Sequence, residues 1–597
     1  MTAEQAPAPS RRDALRLLWG ATLADRPALR AAALWLTLAS ALEALAPVLY
    51  KAFIDRHLLP HAGPVSGVAG LLGAALVAGC VASVLRYGQL IRLAGVAMRS
   101  VRHIRNAVYG HVLRLPMAFF DRAITGQLVS RVTNDTEAIK GLYVQVLFVM
   151  LDSVITLAGV LASMAWLDWR LMAVVGLLLP TVVGIVWLYQ RWSAPAVAAT
   201  RALRSDINAQ AAESISGMAV LQATGAGAAF GARFAQTNEA HWRSRLGELR
   251  ANAWLLRPAL DLLSVVVLAA VIAAFGTFGP VAGTAGAALQ VGVLYAFVRY
   301  LGRVVEPLIQ ITMQFSQLQQ ALVAAARVNT LLNEAPTPGH DEDRQVTQGA
   351  IRIQGLDFGY AKGVSVLHGL NLDITPGQFI GIVGPTGSGK STLLSLLLRY
   401  YDAPPGRIHI DGVPLAALGD AAFRAAVGLV PQEPFLLAAS ARENIDMGRG
   451  LPDAQLRDAA RDAHALDFIE RLPQGWDTPL GEGGARLSVG EKQLVAMARA
   501  LAGRPRILLL DEATSHIDSE TEARVQQALN ALRGQVTVVA IAHRLSTIRD
   551  ADRIVVLNHG RIIEAGRHAE LMAHDGGLYQ RLVQLQQLQG DGPDSDQ

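Results

Sequence analysis

The chain has 597 residues, of which 52% are hydrophobic and only 17% charged, and its mean hydropathy is +0.31. Soluble domains carry charge on about a quarter of their residues, so this balance is too poor in charge for an ordinary cytosolic protein, and it excludes intrinsic disorder and a small disulfide scaffold. The single cysteine, Cys80, permits no intrachain disulfide. The net charge of +4 is uneven. Residues 1–335 hold 28 Lys and Arg against 17 Asp and Glu (net +11), and residues 336–597 hold 25 against 32 (net −7). A basic, apolar half joined to an acidic half predicts two bodies in different solvents. The dominance of Arg, 48 against five Lys, reads as genome composition.

The N-terminal residues, 1–25, form a tail containing the basic amphipathic run Arg11–Trp19. That run suits a helix lying in the inner headgroup layer. With no small-residue cleavage site after a long apolar core, it is not a cleavable signal peptide. Six apolar stretches follow, at about 28–50, 66–90, 142–166, 171–190, 254–277 and 289–313, each near the roughly 20 residues a spanning helix needs. The loops after the second and fourth stretches carry the Arg and Lys: Arg92, Arg99, Arg102, Arg105, Arg114, Arg122, Arg131 and Lys140, then Arg191, Arg201, Arg204, Arg233, Arg243, Arg245 and Arg250. Arg and Lys collect on the cytoplasmic side, which predicts a multi-pass protein with both termini cytoplasmic. Helical periodicity in these long loops predicts that spans two to five continue past the bilayer. The basic excess is thus topological, and a nucleic-acid partner is not expected. Glu43, Asp152, Arg257, Asp261, Arg303 and Glu306 fall inside the stretches. Intramembrane ionisable groups are functional candidates by default, although Arg257 and Asp261, four apart, can simply pair on one helix face.

Near residue 335 the texture changes. The segment 334–348 reads as a polar, Pro-containing linker, and 349–585 as a second domain opening with short strands at Ile351–Ile353 and Phe379–Val383. Directly after the latter comes Gly384-Pro385-Thr386-Gly387-Ser388-Gly389-Lys390-Ser391-Thr392, then the helical pattern Leu393–Leu398. This is G-x-x-x-x-G-K-S in the strand–loop–helix setting that the phosphate loop requires. Its backbone N–H groups and helix dipole cradle phosphates; Lys390 bridges the outer phosphates and Ser391 offers a hydroxyl to Mg²⁺. Downstream, the apolar run Ile507–Leu510 ends in Asp511-Glu512. Asp511 suits an Mg²⁺-water ligand, and Glu512 can polarise the attacking water. His543 ends the apolar run Val538–Ala542 and Gln432 follows Val430-Pro431. Both fall where ligands gather in parallel sheets, His543 as a γ-phosphate sensor and Gln432 within reach of Mg²⁺ or water. Residues 586–597 read as a disordered tail.

With Leu487-Ser488-Val489-Gly490-Glu491 between the phosphate loop and Asp511-Glu512, the chain resembles the ABC transporters over nearly its whole length. The likeness implies a type IV exporter half: a membrane all-α domain of six transmembrane helices (26–333), then an α/β P-loop ATPase domain. Within the family it is similar to the multidrug half-transporters, through Ser130-Arg131-Val132-Thr133-Asn134-Asp135-Thr136-Glu137, Gly292-Val293-Leu294-Tyr295-Ala296-Phe297 and Glu306-Pro307-Leu308-Ile309. The resemblance implies further roles. Tyr360 stacks on adenine, making ATP the nucleotide; Gln432 is the glutamine linking Mg²⁺ to the membrane domain; Gly481-Glu482-Gly483-Gly484 touches the coupling segments near 121–137 and 207–222; Asp518 crosses to the partner; and His543 is the switch histidine. It also implies a bacterial inner-membrane exporter of hydrophobic or amphipathic small molecules, drugs or lipids, surrounded by lipid. Lipid flipping, or an ATP-gated channel or regulator that does not pump, are the alternatives.

One departure bears on mechanism. The family signature Leu-Ser-Gly-Gly-Gln here has Val489 and Glu491 at its third and fifth places. Val489 adds a branched side chain where glycine allows close approach, and Glu491 adds charge near a phosphate or else points away. The chain's own Lys390, Asp511, Glu512 and His543 are intact. Since the family's ATP is sandwiched between two domains, a dimer is implied, and the altered signature favours a heterodimer with one hydrolytic and one slow site.

Overall fold

The computed structural model describes residues 25–58, 65–255, 257–278, 291–340, 344–361, 363–512, 519–542 and 544–590, together with Arg16, Leu18 and Gly20. By its contacts the chain divides into two units. One is Met1–Arg114 with Ala123–Ala335; the other is Leu115–Arg122 with Pro336–Gln597.

The first unit is built of long helices: α1 (Arg26–Phe53), α2 (Val65–Val112), α3 (Phe148–Leu167), α4 (Leu178–Ser216), α5 (Gly227–Leu255), α6 (Arg257–Phe278) and α7 (Val291–Leu332). Shorter helical pieces, two of them π-helical at Arg131–Asp135 and Leu142–Leu147, extend α3 back to Thr125. Among the described residues, five helical runs are long and apolar enough to cross a membrane: Arg26–Leu58, Gly67–Val112, Thr125–Leu167, Trp169–Ser216 and Gly227–Thr277. Runs two to five are 43–51 residues long, about twice what a bilayer needs, so they project beyond it. The sixth expected span falls on α7, which is less apolar because Arg299, Arg303 and Glu306 interrupt it. Its apolar face is inside the unit instead: Val293, Ala296, Phe297, Tyr300 and Val304 are buried in one core with Val160, Met164, Val175 and Leu260. Outward lie Leu76, Val84, Val183 and Leu262, the surface expected where the solvent is lipid.

The intramembrane charges do not stand alone. Arg86 on α2 donates to both oxygens of Asp152 on α3, at 2.8 and 3.2 Å, and its Nε lies 3.5 Å from Glu43 Oε1 on α1. One guanidinium therefore ties three helices through two of the expected functional carboxylates. Arg303 Nη1 donates to the Glu43 carbonyl at 2.7 Å, and Glu306 accepts from Gln310 at 3.0 Å. The side chain of Arg257, and so its expected pairing with Asp261, lies outside the described residues, as does most of the Arg11–Trp19 run.

The second unit contains two sheets. Strands β1 (Ile351–Phe358), β2 (Leu367–Ile374), β4 (Ile408–Ile410) and β5 (Val413–Pro414) form an antiparallel sheet in the order β2-β1-β4-β5. The other strands are β3 (Phe379–Val383), β6 (Val427–Val430), β7 (Ile507–Asp511), β8 (Thr537–Ile541), β9 (Arg553–Asn558) and β10 (Arg561–Gly566), in the order β10-β9-β3-β8-β7-β6. All neighbours in this sheet are parallel except β10 and β9. A parallel sheet is covered on both faces, and the strand sequences obey this. Phe379, Val383, Leu508, Leu510 and Val538 enter one core; Ile380, Ile382, Ile507, Leu509 and Val539 enter the other.

Candidate nucleotide site

The C-terminal ends of β3 and β7 open on one edge of the parallel sheet, where ligands bind in such folds. The β3 strand runs into the loop 384–389 and then helix α8 (Lys390–Leu397). Two glycines make this turn possible. Gly384, at φ +154°, would place a Cβ 2.0 Å from the Leu557 carbonyl oxygen; Gly389, at φ +102°, would place one 2.7 Å from Leu367 Cδ2. Lys390 is buried and turns back across the loop, its Nζ donating to the carbonyls of Gly384 at 2.8 Å and Pro385 at 3.0 Å. Burial pushes its pKa down, while the charges of Glu512 and Asp511 oppose that shift. Ser388 Oγ is buried with no hydrogen-bond partner, a donor that a phosphate oxygen would satisfy.

Asp511 ends β7, pairing with Ile541 of β8. Its carboxyl is pushed above the usual range by burial and by Glu512, with Lys390 pulling the other way. Glu512 then turns sharply, at φ +45°, with its amide on the Ile541 carbonyl at 3.0 Å. A non-glycine residue at positive φ is uncommon and marks functional sites. The turn brings Glu512 Oε2 within 2.6 Å of Gln432 Nε2, which donates to it. So the structure joins Lys390, Asp511, Glu512 and Gln432, from three separate stretches of chain. Asp518 and His543 lie outside the described residues.

Tyr360 follows β1, and its hydroxyl donates to Thr392 Oγ1 at 3.0 Å. The signature residues open helix α9 (Val489–Ala502), with Ser488 as N-cap. The Glu491 amide donates to Ser488 Oγ at 3.2 Å, and the Glu491 carboxylate accepts from the Ser488 amide at 2.8 Å. This reciprocal capping box turns the Glu491 carboxylate back on its own helix end. Gly490 has no room for a side chain, since a Cβ would lie 2.6 Å from Thr521 Oγ1; Val489 is half exposed.

Residues 29–308 match the ABC transporter transmembrane region and residues 367–515 the ABC transporter family. A putative ABC transporter ATP-binding protein of Streptococcus pneumoniae, exp8, is 40% identical over 84% of this chain and 86% of its own length. The chain belongs to the ABC transporter family. The multidrug resistance-like ATP-binding protein MdlB of Buchnera aphidicola is 37% identical over 90% of this chain and 92% of its own. The solved structure of a bacterial Atm1-family ABC exporter with ATP bound has 30% identity and a TM-score of 0.76, covering 94% of this chain and 98% of that one.

As an ABC exporter, the chain is an ATP hydrolase coupled to transport: a multi-pass membrane half-transporter that works with a second half. Three features of the structure were not foreseen from sequence. The capping box was readable in the spacing Ser488-x-x-Glu491. Arg86 carried a signal too, being a charge inside an apolar stretch. The third is Tyr401, whose hydroxyl donates to Asp121; the two are 280 residues apart, and no local pattern announces the pair.

Proposed function

We propose that this chain is one half of a heterodimeric exporter in the bacterial inner membrane. It uses ATP to move hydrophobic or amphipathic small molecules, drugs or lipids, outward, with both termini in the cytoplasm. The supporting observation is the convergence of the phosphate loop, Asp511 and the Gln432–Glu512 pair on one sheet edge. Residues 26–333 serve as the transmembrane domain and 349–585 as the ATPase, joined by the linker 334–348.

In this reading the loop 384–392 wraps the phosphates, and Lys390 leaves the Gly384 and Pro385 carbonyls for the outer phosphate oxygens. Ser391, Asp511 and Gln432 are the residues that would hold Mg²⁺, which supplies charge neutralisation at the β- and γ-oxygens when bound. Tyr360 presents its ring to the base. Glu512 accepts a proton from the attacking water as the water oxygen bonds to the γ-phosphorus and the bond to the bridging oxygen breaks, with ADP leaving. His543 contacts the γ-phosphate and Asp518 faces the other half. Leu487, Ser488, Val489, Gly490 and Glu491 face the ATP held by the partner. The branched, half-exposed side chain of Val489 weakens that second site relative to the site built on this chain's Glu512.

The pairing is tested by purifying the chain alone and together with a second half-transporter carrying an unaltered signature. Only the pair should hydrolyse ATP and transport at full rate. Full activity of the chain as a homodimer would overturn the heterodimer.

A further inference from the structure

Tyr401 joins two places that the nucleotide reading leaves separate. Its hydroxyl donates to Asp121 Oδ2, within Leu115–Arg122. That short segment groups with the ATPase unit although the chain on either side of it belongs to the helical unit. The ring of Tyr401 stands edge-on to Tyr360, with centroids 4.8 Å apart and planes at 80°. Phe358 closes the cluster, edge-on to Tyr360 at 5.3 Å and to Tyr401 at 6.2 Å. The Tyr360 hydroxyl is held by Thr392, two residues beyond the phosphate-loop lysine.

Tyr360 is thus fixed at its tip by α8 and at its sides by Phe358 and Tyr401, yet it is 51% exposed. An aromatic ring held in place with a free face loses little entropy when a flat ligand stacks on it. Burial and the Asp121 carboxylate push the Tyr401 phenol up to about 12, so its proton stays in place at neutral pH.

We infer that Tyr401 is a positioning residue for the nucleotide base: its hydrogen bond to Asp121 sets the pose of the Tyr360 ring, so that ATP affinity depends on the placement of segment 115–122. The inference rests on reading Tyr360 as the base platform. Linkage makes the effect reciprocal: whatever displaces the segment loosens ATP, and bound ATP holds the segment.

Tyr401→Phe removes the hydroxyl and keeps the ring. In the reconstituted transporter it should raise the KM for ATP about threefold to tenfold, the worth of one hydrogen bond, with kcat changed less than about twofold. Binding of inorganic tripolyphosphate, which has no base, should not change. Asp121→Asn should give the same shift, and the double variant should be no worse than either single one. Tyr360→Ala serves as the reference: if it leaves ATP affinity intact, the base-platform reading fails. If it weakens ATP but Tyr401→Phe leaves KM unchanged, or if the Tyr401 and Asp121 effects add, the role assigned to Tyr401 is overturned.

Discussion

Gln432 Nε2 donates to Glu512 Oε2 across 2.6 Å, so the residue proposed to polarise water is oriented by a residue from the end of a neighbouring strand. Glu512 reaches that position through a left-handed turn, and Gln432 offsets the freedom of its side chain. Gln432→Ala should therefore lower kcat for ATP about tenfold to a hundredfold, the range for a hydrogen bond to a charged group. Equilibrium nucleotide binding measured without Mg²⁺ should change little. Parallel measurement of turnover and nucleotide affinity checks this.

Asp511 illustrates a conflict between stability and function. Burial and Glu512 raise its pKa in the folded protein. A carboxyl raised above its unfolded value contributes stability that is present below the unfolded pKa and lost as pH rises through the folded one. Ionisation of Asp511, as pH rises through that raised value, therefore opposes folding. Asp511→Asn should raise the unfolding temperature of the nucleotide-free transporter while lowering ATP turnover at least about a hundredfold, because it removes a group expected to hold Mg²⁺. Thermal unfolding and steady-state hydrolysis on one preparation test both signs.

The start of α9 separates capping from charge. Ser488→Ala breaks the box and should cost the ATPase unit about 1 kcal/mol. Glu491→Gln keeps the acceptor oxygen for the Ser488 amide and should leave stability within about 0.5 kcal/mol of the parent. Gly490→Ala drives a methyl into Thr521 and should cost about 1–3 kcal/mol. Denaturation midpoints of the three variants give the ranking directly.

In the helical unit, Arg86→Leu leaves Glu43 and Asp152 facing each other without their shared cation. Removing one partner of a fully buried pair costs about 3–5 kcal/mol. These side chains keep about a quarter to a third of their exposure, so roughly 1–3 kcal/mol is expected. Asp152→Asn in the Arg86→Leu background should recover part of the loss. Unfolding in detergent measures it.

The contrast between the phosphate loop and Tyr401 shows what kind of information a sequence carries. Gly384, Gly389, Lys390 and Ser391 are legible because the loop's chemistry is local: the glycines' backbone needs and the lysine's reach act within nine residues. The strands were legible for a related reason, since a two-faced parallel sheet forces continuous apolar runs such as Ile507–Leu510. Arg86 takes its meaning from helices that are distant in sequence, which bring Glu43 and Asp152 to the one cation they share. Glu491 shows a different case. Its charge drew attention to a phosphate, while its spacing from Ser488 already described a helix cap. Tyr401 and Asp121 meet only because segment 115–122 joins the ATPase unit, and nothing local to either residue encodes that.

In the proposed mechanism, ATP hydrolysis at this chain's phosphate loop, using Glu512, drives export. The most direct measurement is uptake of a fluorescent amphiphile into inside-out proteoliposomes holding the paired half-transporters, with Glu512→Gln compared to the parent. The parent should show ATP-dependent uptake. The variant should lose uptake, hydrolyse ATP about a hundredfold to ten-thousandfold more slowly, and still bind ATP. Uptake that persists in the variant, or flux that runs equally in both directions without ATP consumption, would contradict it.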